Sequence, residues 1–247
     1  MSNVYEALQR AGYQVGRDEQ VAYRNLLAET GLPSDPGKPI PVTARPGQVR
    51  HAIGALFSAI RPMLDSRHAS ILHIVAATEQ EGTSTVAREL ALVVATGGSS
   101  RTLLVDANNQ NFGTARLFGC PLDRGLIDCV RLQAPYHGAL RPVPNTLLSV
   151  GRLSNDLAPI ETETLRSLYK KAREEFGVTI VDCPPIERGG YSELLPELAD
   201  GIILVIRAEK VKRGAVMRAT DLLQRTGGNI VGAVFNMQRN YVPQFLG

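Results

Sequence analysis

The chain has 247 residues, of which 44% are apolar and 21% charged, and its formal net charge is +3. That composition is typical of a globular protein with a buried core, and the charge is too small to indicate a nucleic-acid partner. The sequence holds no apolar run long enough for a membrane-spanning helix, and we expect no secretion signal at its start.

Cysteine and histidine usage argues against disulfides and metal clusters. Cys120, Cys129 and Cys183 form no CxxC pair, which predicts reduced thiols of the cytosol. The histidines lack the spacing of metal ligands, so we expect no transition-metal site. They are His51, His68, His73 and His137.

The first part of the chain differs from the rest. Residues 1–30 are polar, and residues 31–47 contain five prolines, so residues 1–47 are predicted to be a leader and linker. Residues 48–247 then form a single domain. Residues 49–60 predict an amphipathic helix whose apolar face must be covered, either by the domain's own core, which we favour, or by another chain. That face carries Val49, Ile53, Phe57 and Ile60.

From residue 70 onward, short apolar runs alternate with amphipathic segments. Because the runs are continuous, they predict strands that are buried on both faces. The predicted strands are residues 71–77, 102–106, 146–150, 178–182, 202–206 and 230–235. The predicted helices are residues 84–96, 161–176 and 212–225. This alternation predicts a doubly wound α/β fold, with a mostly parallel sheet and helices on both faces.

A turn that could bind phosphate follows the first predicted strand, at the carboxyl edge where open parallel sheets bind ligands. Its end reads Glu81-Gly82-Thr83-Ser84-Thr85 and opens a helix, whose N–H groups and dipole favour an anion. A P-loop also needs a Lys for the β- and γ-phosphates and a Ser or Thr for Mg²⁺. Ser84 is present, but Thr83 occupies the Lys position. The alternative is an ordinary strand–turn–helix with Thr or Ser as the helix cap.

Aspartates end two further predicted strands, at Asp106 and Asp182. Such a residue can hold Mg²⁺ or its waters in an NTPase, and it can equally cap a helix or accept hydrogen bonds from a loop. Two aspartates at equivalent strand ends, downstream of this turn, favour a nucleotide site.

These residues together resemble the cytoplasmic kinase domain of the bacterial tyrosine autokinases that serve capsule and exopolysaccharide synthesis. Those kinases are P-loop proteins of the deviant Walker-A group, and the resemblance is colinear over residues 70–247. The family's EGK, DAD and DTPP motifs correspond to residues 81–85, 103–108 and 180–185. Further matches are residues 116–119 with 125–126, 199–201, 234–236, 241–243 and 4–8.

The resemblance implies roles for individual residues. Those placed at the nucleotide phosphates are Glu81, Gly82, Thr83, Ser84 and Thr85. The resemblance implies that Ser84, Asp106 and Asp182 hold Mg²⁺ and that Asn236 contacts the nucleotide base.

Departures from the family pattern fall on the active-site residues. Thr83 replaces the Lys, and Asn108 replaces the second acid of the DAD motif. Tyr241 is the one tyrosine at the place of the family's C-terminal tyrosine cluster. Asp106 and Asp182 are then vestiges of a catalytic pair. Losing the charge-assisted hydrogen bond of a Lys lowers affinity about ten- to hundredfold, so ATP with Mg²⁺ is expected to bind weakly.

The sequence therefore favours a pseudokinase that acts as the cytoplasmic partner of a membrane polysaccharide co-polymerase, held at the inner membrane by that partner. One alternative is an active tyrosine autokinase or ATPase in which Arg88 replaces the Lys. Another is a partitioning-type ATPase, which is disfavoured because residues 78–80 lack the early Lys of that group. A homo-oligomer is compatible with the sequence, and no nucleic acid is expected as a partner.

Overall fold

The computed structural model describes residues 41–43, 49–63, 69–97, 100–108, 113–120, 124–154, 160–189 and 194–237. The strands are β1 (Pro41–Thr43), β2 (Ser70–Ala76), β3 (Thr102–Asp106), β4 (Leu140–Pro142), β5 (Leu148–Arg152), β6 (Val178–Asp182), β7 (Gly201–Arg207) and β8 (Ile230–Asn236). The helices are α1 (Val49–Ile60), α2 (Thr83–Gly97), α3 (Gly113–Leu117), α4 (Leu126–Arg131), α5 (Thr162–Glu175) and α6 (Arg213–Arg225).

The strands form one sheet in the order β1-β8-β7-β2-β6-β3-β5-β4. Every neighbouring pair is parallel except β4 with β5, which is antiparallel. The predicted doubly wound α/β fold is therefore confirmed. Because β2, β3, β6 and β7 run in the same direction, their carboxyl ends meet at one edge of the sheet.

Core side chains pack on both faces of this sheet. On β2, Ile71 and Val75 point to the face that α4, α5 and α6 cover, while Leu72 and Ile74 point to the face that α1 and α2 cover. The whole of β2 is buried, as its continuous apolar pattern predicts.

Helix α1 packs into the domain's own core. Ile53 and Ile60 are buried in the same cluster as Leu90 of α2, and Phe57 packs partly buried against it. The favoured interpretation of the apolar face of α1 is thus confirmed for these three residues. The side chain of Val49 lies outside the described residues.

Strand β1 lies inside the segment predicted as linker, so for these three residues that prediction is wrong. Residues Pro41–Thr43 pair with β8 at the sheet edge, in register with Ala233 to Phe235. An edge strand makes ladder hydrogen bonds on one side only, which is why it tolerates proline at its start. The remaining residues of the predicted leader and linker, numbers 1–40 and 44–47, and Tyr241 lie outside the described residues.

Strand β5 begins two residues later than predicted because Thr146 belongs to a turn. The backbone N–H and the hydroxyl of Thr146 both donate to the carbonyl oxygen of Val143, and Leu148 N donates to the Thr146 hydroxyl. The strand therefore continues to Arg152. Strand β4 was not predicted, since three mostly exposed edge residues carry no apolar pattern.

The three cysteines are buried and form no disulfide, in agreement with the sequence. Across the parts of the chain that the structure describes, no helix combines the length and apolar character needed to cross a bilayer.

Candidate nucleotide-binding site

The loop from Ala77 to Gly82 joins β2 to α2, at the place where the sequence predicts a phosphate-binding turn. The N–H groups of Thr85 and Val86 both donate to the carbonyl oxygen of Gly82, each over 3.0 Å, and so close the first turn of α2. The N–H groups of Thr83 and Ser84 belong to that first turn, where an α-helix offers no internal acceptor. The helix N-terminus can therefore still receive an anion through its backbone.

Gly82 is required at its position for two reasons. Its φ of +88° is a conformation that residues with a side chain rarely adopt. A Cβ atom built on Gly82 would also overlap the side-chain amide nitrogen of Asn236. The loop is thus packed closely against the end of β8.

The side chain of Glu81 ties the loop to the sheet. Its carboxylate is buried, accepts hydrogen bonds from the N–H and hydroxyl of Thr78, and accepts a third from Arg207 N at the end of β7, over 2.9 Å. Burial is the main cause that raises the pKa of Glu81, while these hydrogen bonds oppose the rise. The carboxylate is therefore engaged within the protein, although the resemblance places Glu81 at the phosphates.

Asn236 lies over the same loop. Its Nδ2 donates to the carbonyl oxygen of Glu81 over 2.8 Å, and its Oδ1 accepts from Met237 N over 3.0 Å. The resemblance assigns this residue to a nucleotide base; in the structure both ends of its amide are bonded to backbone atoms.

A second contact fixes the outer part of the loop. Glu79 N donates to Glu187 Oε1 over 2.9 Å, Glu187 N donates to the carbonyl oxygen of Ala77, and Arg188 forms an ion pair with Glu79. Two carboxylates, those of Glu79 and Glu187, therefore lie beside the loop that the sequence predicts to hold phosphate.

The three hydroxyl residues that open α2 have different surroundings. Thr83 and Ser84 are half-buried, and Thr85 is exposed. The Ser84 hydroxyl lies near the carboxylate of Asp182 and acts to lower its pKa. The hydroxyl of Thr85 instead accepts a hydrogen bond from Arg88 Nη2, over 3.2 Å.

Asp106 and Asp182 occupy matched positions on the adjacent parallel strands β3 and β6. Asp182 Oδ2 accepts from the Thr114 hydroxyl over 2.9 Å, whereas its buried Oδ1 has no hydrogen-bond partner. Burial, reinforced by the negative charge of Asp106, raises the pKa of Asp182 to about 7. The sequence-predicted pair is thus brought together at the carboxyl edge of the sheet.

Asp106 acts as a loop and helix acceptor. Its Oδ1 accepts from Asn108 N over 3.1 Å, and its Oδ2 accepts from Ala115 N, in α3, over 2.9 Å. Burial raises the pKa of Asp106, and these backbone donors together with the nearby charge of Arg152 oppose that rise. The sequence allows Asp106 either to hold Mg²⁺ or to accept hydrogen bonds from a loop and a helix, and the structure shows the second role.

Arg152 was missed by the sequence analysis. It ends β5 directly beside Asp106, and its side chain is buried. The predicted strand stops at residue 150, which places Arg152 beyond its end. In the observed register, Arg152 ends β5 at the position that Asp106 and Asp182 hold on β3 and β6.

These residues fit a Mg²⁺ ion poorly. Of the four carboxylate oxygens of this pair, Asp182 Oδ1 lacks a hydrogen-bond partner and has the Ser84 hydroxyl nearby, while both oxygens of Asp106 are held by backbone N–H groups. Asn108 adds a buried amide oxygen without a partner, where the family carries a carboxylate. In the described parts of the chain, no three His, Cys, Asp or Glu side chains are grouped as metal ligands.

Comparison with known proteins identifies relatives among bacterial tyrosine-protein kinases. CpsD of Streptococcus agalactiae serotype III (strain NEM316), a tyrosine-protein kinase, is 28% identical over 208 residues, covering 76% of this chain and 84% of CpsD. The succinoglycan biosynthesis transport protein ExoP of Rhizobium meliloti (strain 1021) is 25% identical over 183 residues, covering 70% of this chain and 23% of ExoP. No protein-family model matches the chain.

A solved structure supports the same fold. The crystal structure of the chimerical protein CapA2B2 superposes with a TM-score of 0.70 at 20% identity, covering 88% of this chain and 99% of the other. The chain therefore has the same fold as CapA2B2.

Proposed function

We propose that this homologue of the bacterial tyrosine-protein kinases is a pseudokinase, a non-catalytic component of exopolysaccharide synthesis or export. The observation that carries the proposal is Thr83 at the N-terminus of α2, where a P-loop has its Lys. A threonine hydroxyl is shorter and uncharged. Losing a donor that neutralises developing charge costs catalysis on the order of a hundred- to thousandfold, beyond the loss of affinity.

Charges around the loop support this proposal. Glu79, in the loop, is paired with Arg188, and Glu187 places a further carboxylate beside the loop, where its charge disfavours a polyphosphate. The backbone N–H groups at the start of α2 remain, so a single phosphate group can still find donors there. The site therefore keeps the backbone N–H groups that bind a phosphate and lacks the Lys that would favour a triphosphate.

An active tyrosine autokinase or ATPase is the second candidate, and Arg88 is the observation that favours it. Its positive charge opposes the rise in the pKa of Asp182, so it lies close enough to act on the site. Its guanidinium also donates to Thr85 at the exposed start of α2. In this candidate function Arg88 would take over the charge of the missing Lys.

For the partner, we propose the cytoplasmic part of a membrane polysaccharide co-polymerase, which would hold the protein at the inner membrane. Support comes from the transport function in the name of ExoP, of which the chain matches about a quarter, and from the chimeric nature of CapA2B2. Capture of the purified protein by the immobilised cytoplasmic segment of the co-polymerase from the same host tests this. Equal capture by an unrelated segment of the same charge would contradict it.

A nucleotide titration tests the pseudokinase. Calorimetry with ATP and with ADP, each with Mg²⁺, should show weak binding or none by the wild type. Thr83→Lys combined with Asn108→Asp should restore binding if the pocket is otherwise intact. Thr85→Lys is the matched control, because it adds the same charge two residues further along, at an exposed position.

The two candidate functions give opposite results for the wild type. Micromolar ATP binding with measurable hydrolysis would overturn the pseudokinase and establish the autokinase. In that case Arg88→Gln should abolish the hydrolysis. Failure of both the wild type and the double variant to bind ATP would mean that the pocket has closed, and the pseudokinase would stand.

A further inference from the structure

Three charged side chains form a row across the carboxyl edge of the sheet. Arg152 is in register with Asp106, and Asp106 is in register with Asp182, on the neighbouring strands β5, β3 and β6. Register-matched residues of adjacent strands point to the same face of a sheet. All three side chains are buried, so bulk water screens their charges little.

Arg152 needs an ionised partner at this position. A buried guanidinium without one is costly, because the side chain cannot give up its proton to become neutral. Asp106 is its register neighbour, and the positive charge of Arg152 favours the ionised form of Asp106. Together with the N–H groups of Asn108 and Ala115, Arg152 supplies the stabilisation that a buried carboxylate requires.

Asp182 has a corresponding cation in Arg88. Ser84 and Arg88 are four residues apart in α2 and therefore lie on the same side of the helix. The Ser84 hydroxyl and the charge of Arg88 both favour the ionised form of the Asp182 carboxylate. Two arginines thus lie near the two aspartates, so positive charge already offsets the carboxylates before any ion binds.

We propose that Arg152 is a built-in counter-cation for the Asp106–Asp182 pair, with Arg88 in support, so that this site excludes divalent cations. The proposal concerns the metal and not the nucleotide. It holds whether or not the protein binds ATP, and it does not depend on the proposed function.

Direct binding of Mn²⁺ tests the proposal, with electron paramagnetic resonance as the readout and no nucleotide present. With the wild-type protein at millimolar Mn²⁺, the spectrum should remain that of the free ion. Arg152→Met removes the charge and keeps apolar volume, and it should bind Mn²⁺ at least roughly tenfold more tightly, because a repelling unit charge is gone from a buried site. Arg152→Lys keeps the charge and should behave as the wild type.

Arg141→Gln is the matched control. Arg141 lies on β4 at the same end of the sheet but is exposed, so this variant changes the net charge equally without opening the site. Equal Mn²⁺ affinity of Arg152→Met and Arg141→Gln would overturn the proposal. Wild-type binding in the submillimolar range would overturn it as well.

Thermal unfolding keeps the test decisive if Arg152→Met is unstable. Leaving the aspartates without their cation should make the variant depend on metal, so Mg²⁺ should raise its melting temperature and leave that of the wild type unchanged. An unstable variant that Mg²⁺ does not rescue would contradict the proposal. ATP binding, measured separately on the same proteins, decides the proposed function without affecting this result.

Discussion

The side-chain amide of Asn236, the last residue of β8, donates a hydrogen bond of 2.8 Å to the backbone carbonyl oxygen of Glu81 in the loop before α2. Glu81 in turn accepts from the backbone of Arg207, the last residue of β7. The loop is therefore fixed by the carboxyl ends of two strands that lie far away in the sequence. Its conformation is a property of the folded sheet and not of the loop sequence alone.

The first prediction concerns Gly82. Gly82→Ala should lower the free energy of unfolding by roughly 1–3 kcal/mol, because the left-handed backbone is strained by a Cβ and Asn236 must move. Urea denaturation measures the change. Gly97→Ala is the control: it ends α2 in open space and should be neutral or stabilising by up to about 1 kcal/mol. Similar losses for the two variants would show that the loop is not constrained as described.

The second prediction follows from the raised pKa of Asp182, about 7 in the folded protein against about 3.9 in an unfolded chain. Between these values the folded state binds a proton that the unfolded chain releases. The contribution of this carboxyl to stability is therefore complete below about pH 4 and is lost as the pH rises to about 7.

Asp182→Asn should remove this part of the pH dependence. At pH 8 the variant should be more stable than the wild type by roughly 1–3 kcal/mol, since the amide carries no charge to be desolvated. Denaturation curves at several pH values give the comparison. Glu163→Gln, at an exposed site on α5, should follow the wild-type profile. A variant profile parallel to that of the wild type would show that Asp182 does not titrate in this range.

The third prediction concerns Arg173 of α5. Its guanidinium donates to the carbonyl oxygens of Ala69 and Leu198 and to both oxygens of Asp200, which itself accepts from Ile71 N. Because this network is only partly buried, Arg173→Gln should cost roughly 1–3 kcal/mol of unfolding free energy.

Arg166 provides the comparison on the same helix. Its ion pairs with Glu163 and Glu197 are longer and exposed, so Arg166→Gln should change stability by less than about 1 kcal/mol. Chemical denaturation of both variants at equal ionic strength measures the difference. An equal cost would assign the effect of Arg173 to surface charge and not to the network.

The fourth prediction tests α1 as part of the core. Leu56 is fully buried between α1 and the sheet, so Leu56→Ala should cost about 2–5 kcal/mol. Ser58→Ala, on the exposed side of the same helix, should have almost no effect. Light scattering should show the same oligomeric state for both variants, because the substituted face packs within one chain. A change of oligomer mass without loss of stability would place that face in an interface.

The sequence predicted the central strands and the long helices because their patterns are strong. Continuous apolar runs mark strands that are covered on both faces, and β2, β3, β6, β7 and β8 are of this kind. Edge strands lack that signal, since one side of their backbone is open and their side chains need not be apolar. For this reason the sequence predicts linker where β1 lies and gives no sign of β4.

For the site, the sequence predicted which residues come together but not what they do. Asp106 and Asp182 meet because both end buried parallel strands. The role of Arg152 depends on the register of β5, which the turn at Thr146 shifts by two residues. The hydrogen bond from Asn236 to the Glu81 carbonyl oxygen depends on where β8 lies beside the loop. A linear sequence motif does not show that position.

The position of β2 at the centre of the sheet also affects how the protein is made. Its partners β6 and β7 follow it by more than a hundred residues. At ribosomal rates of about 5–20 residues per second, a newly synthesised β2 waits roughly 5–20 s before the first of these strands emerges. Throughout that interval this strand, which is buried along its whole length in the folded domain, has no neighbour on either edge. Nascent chains are thus most vulnerable to aggregation during translation of the segment between β2 and β6, and slower translation there should lower the yield of soluble protein.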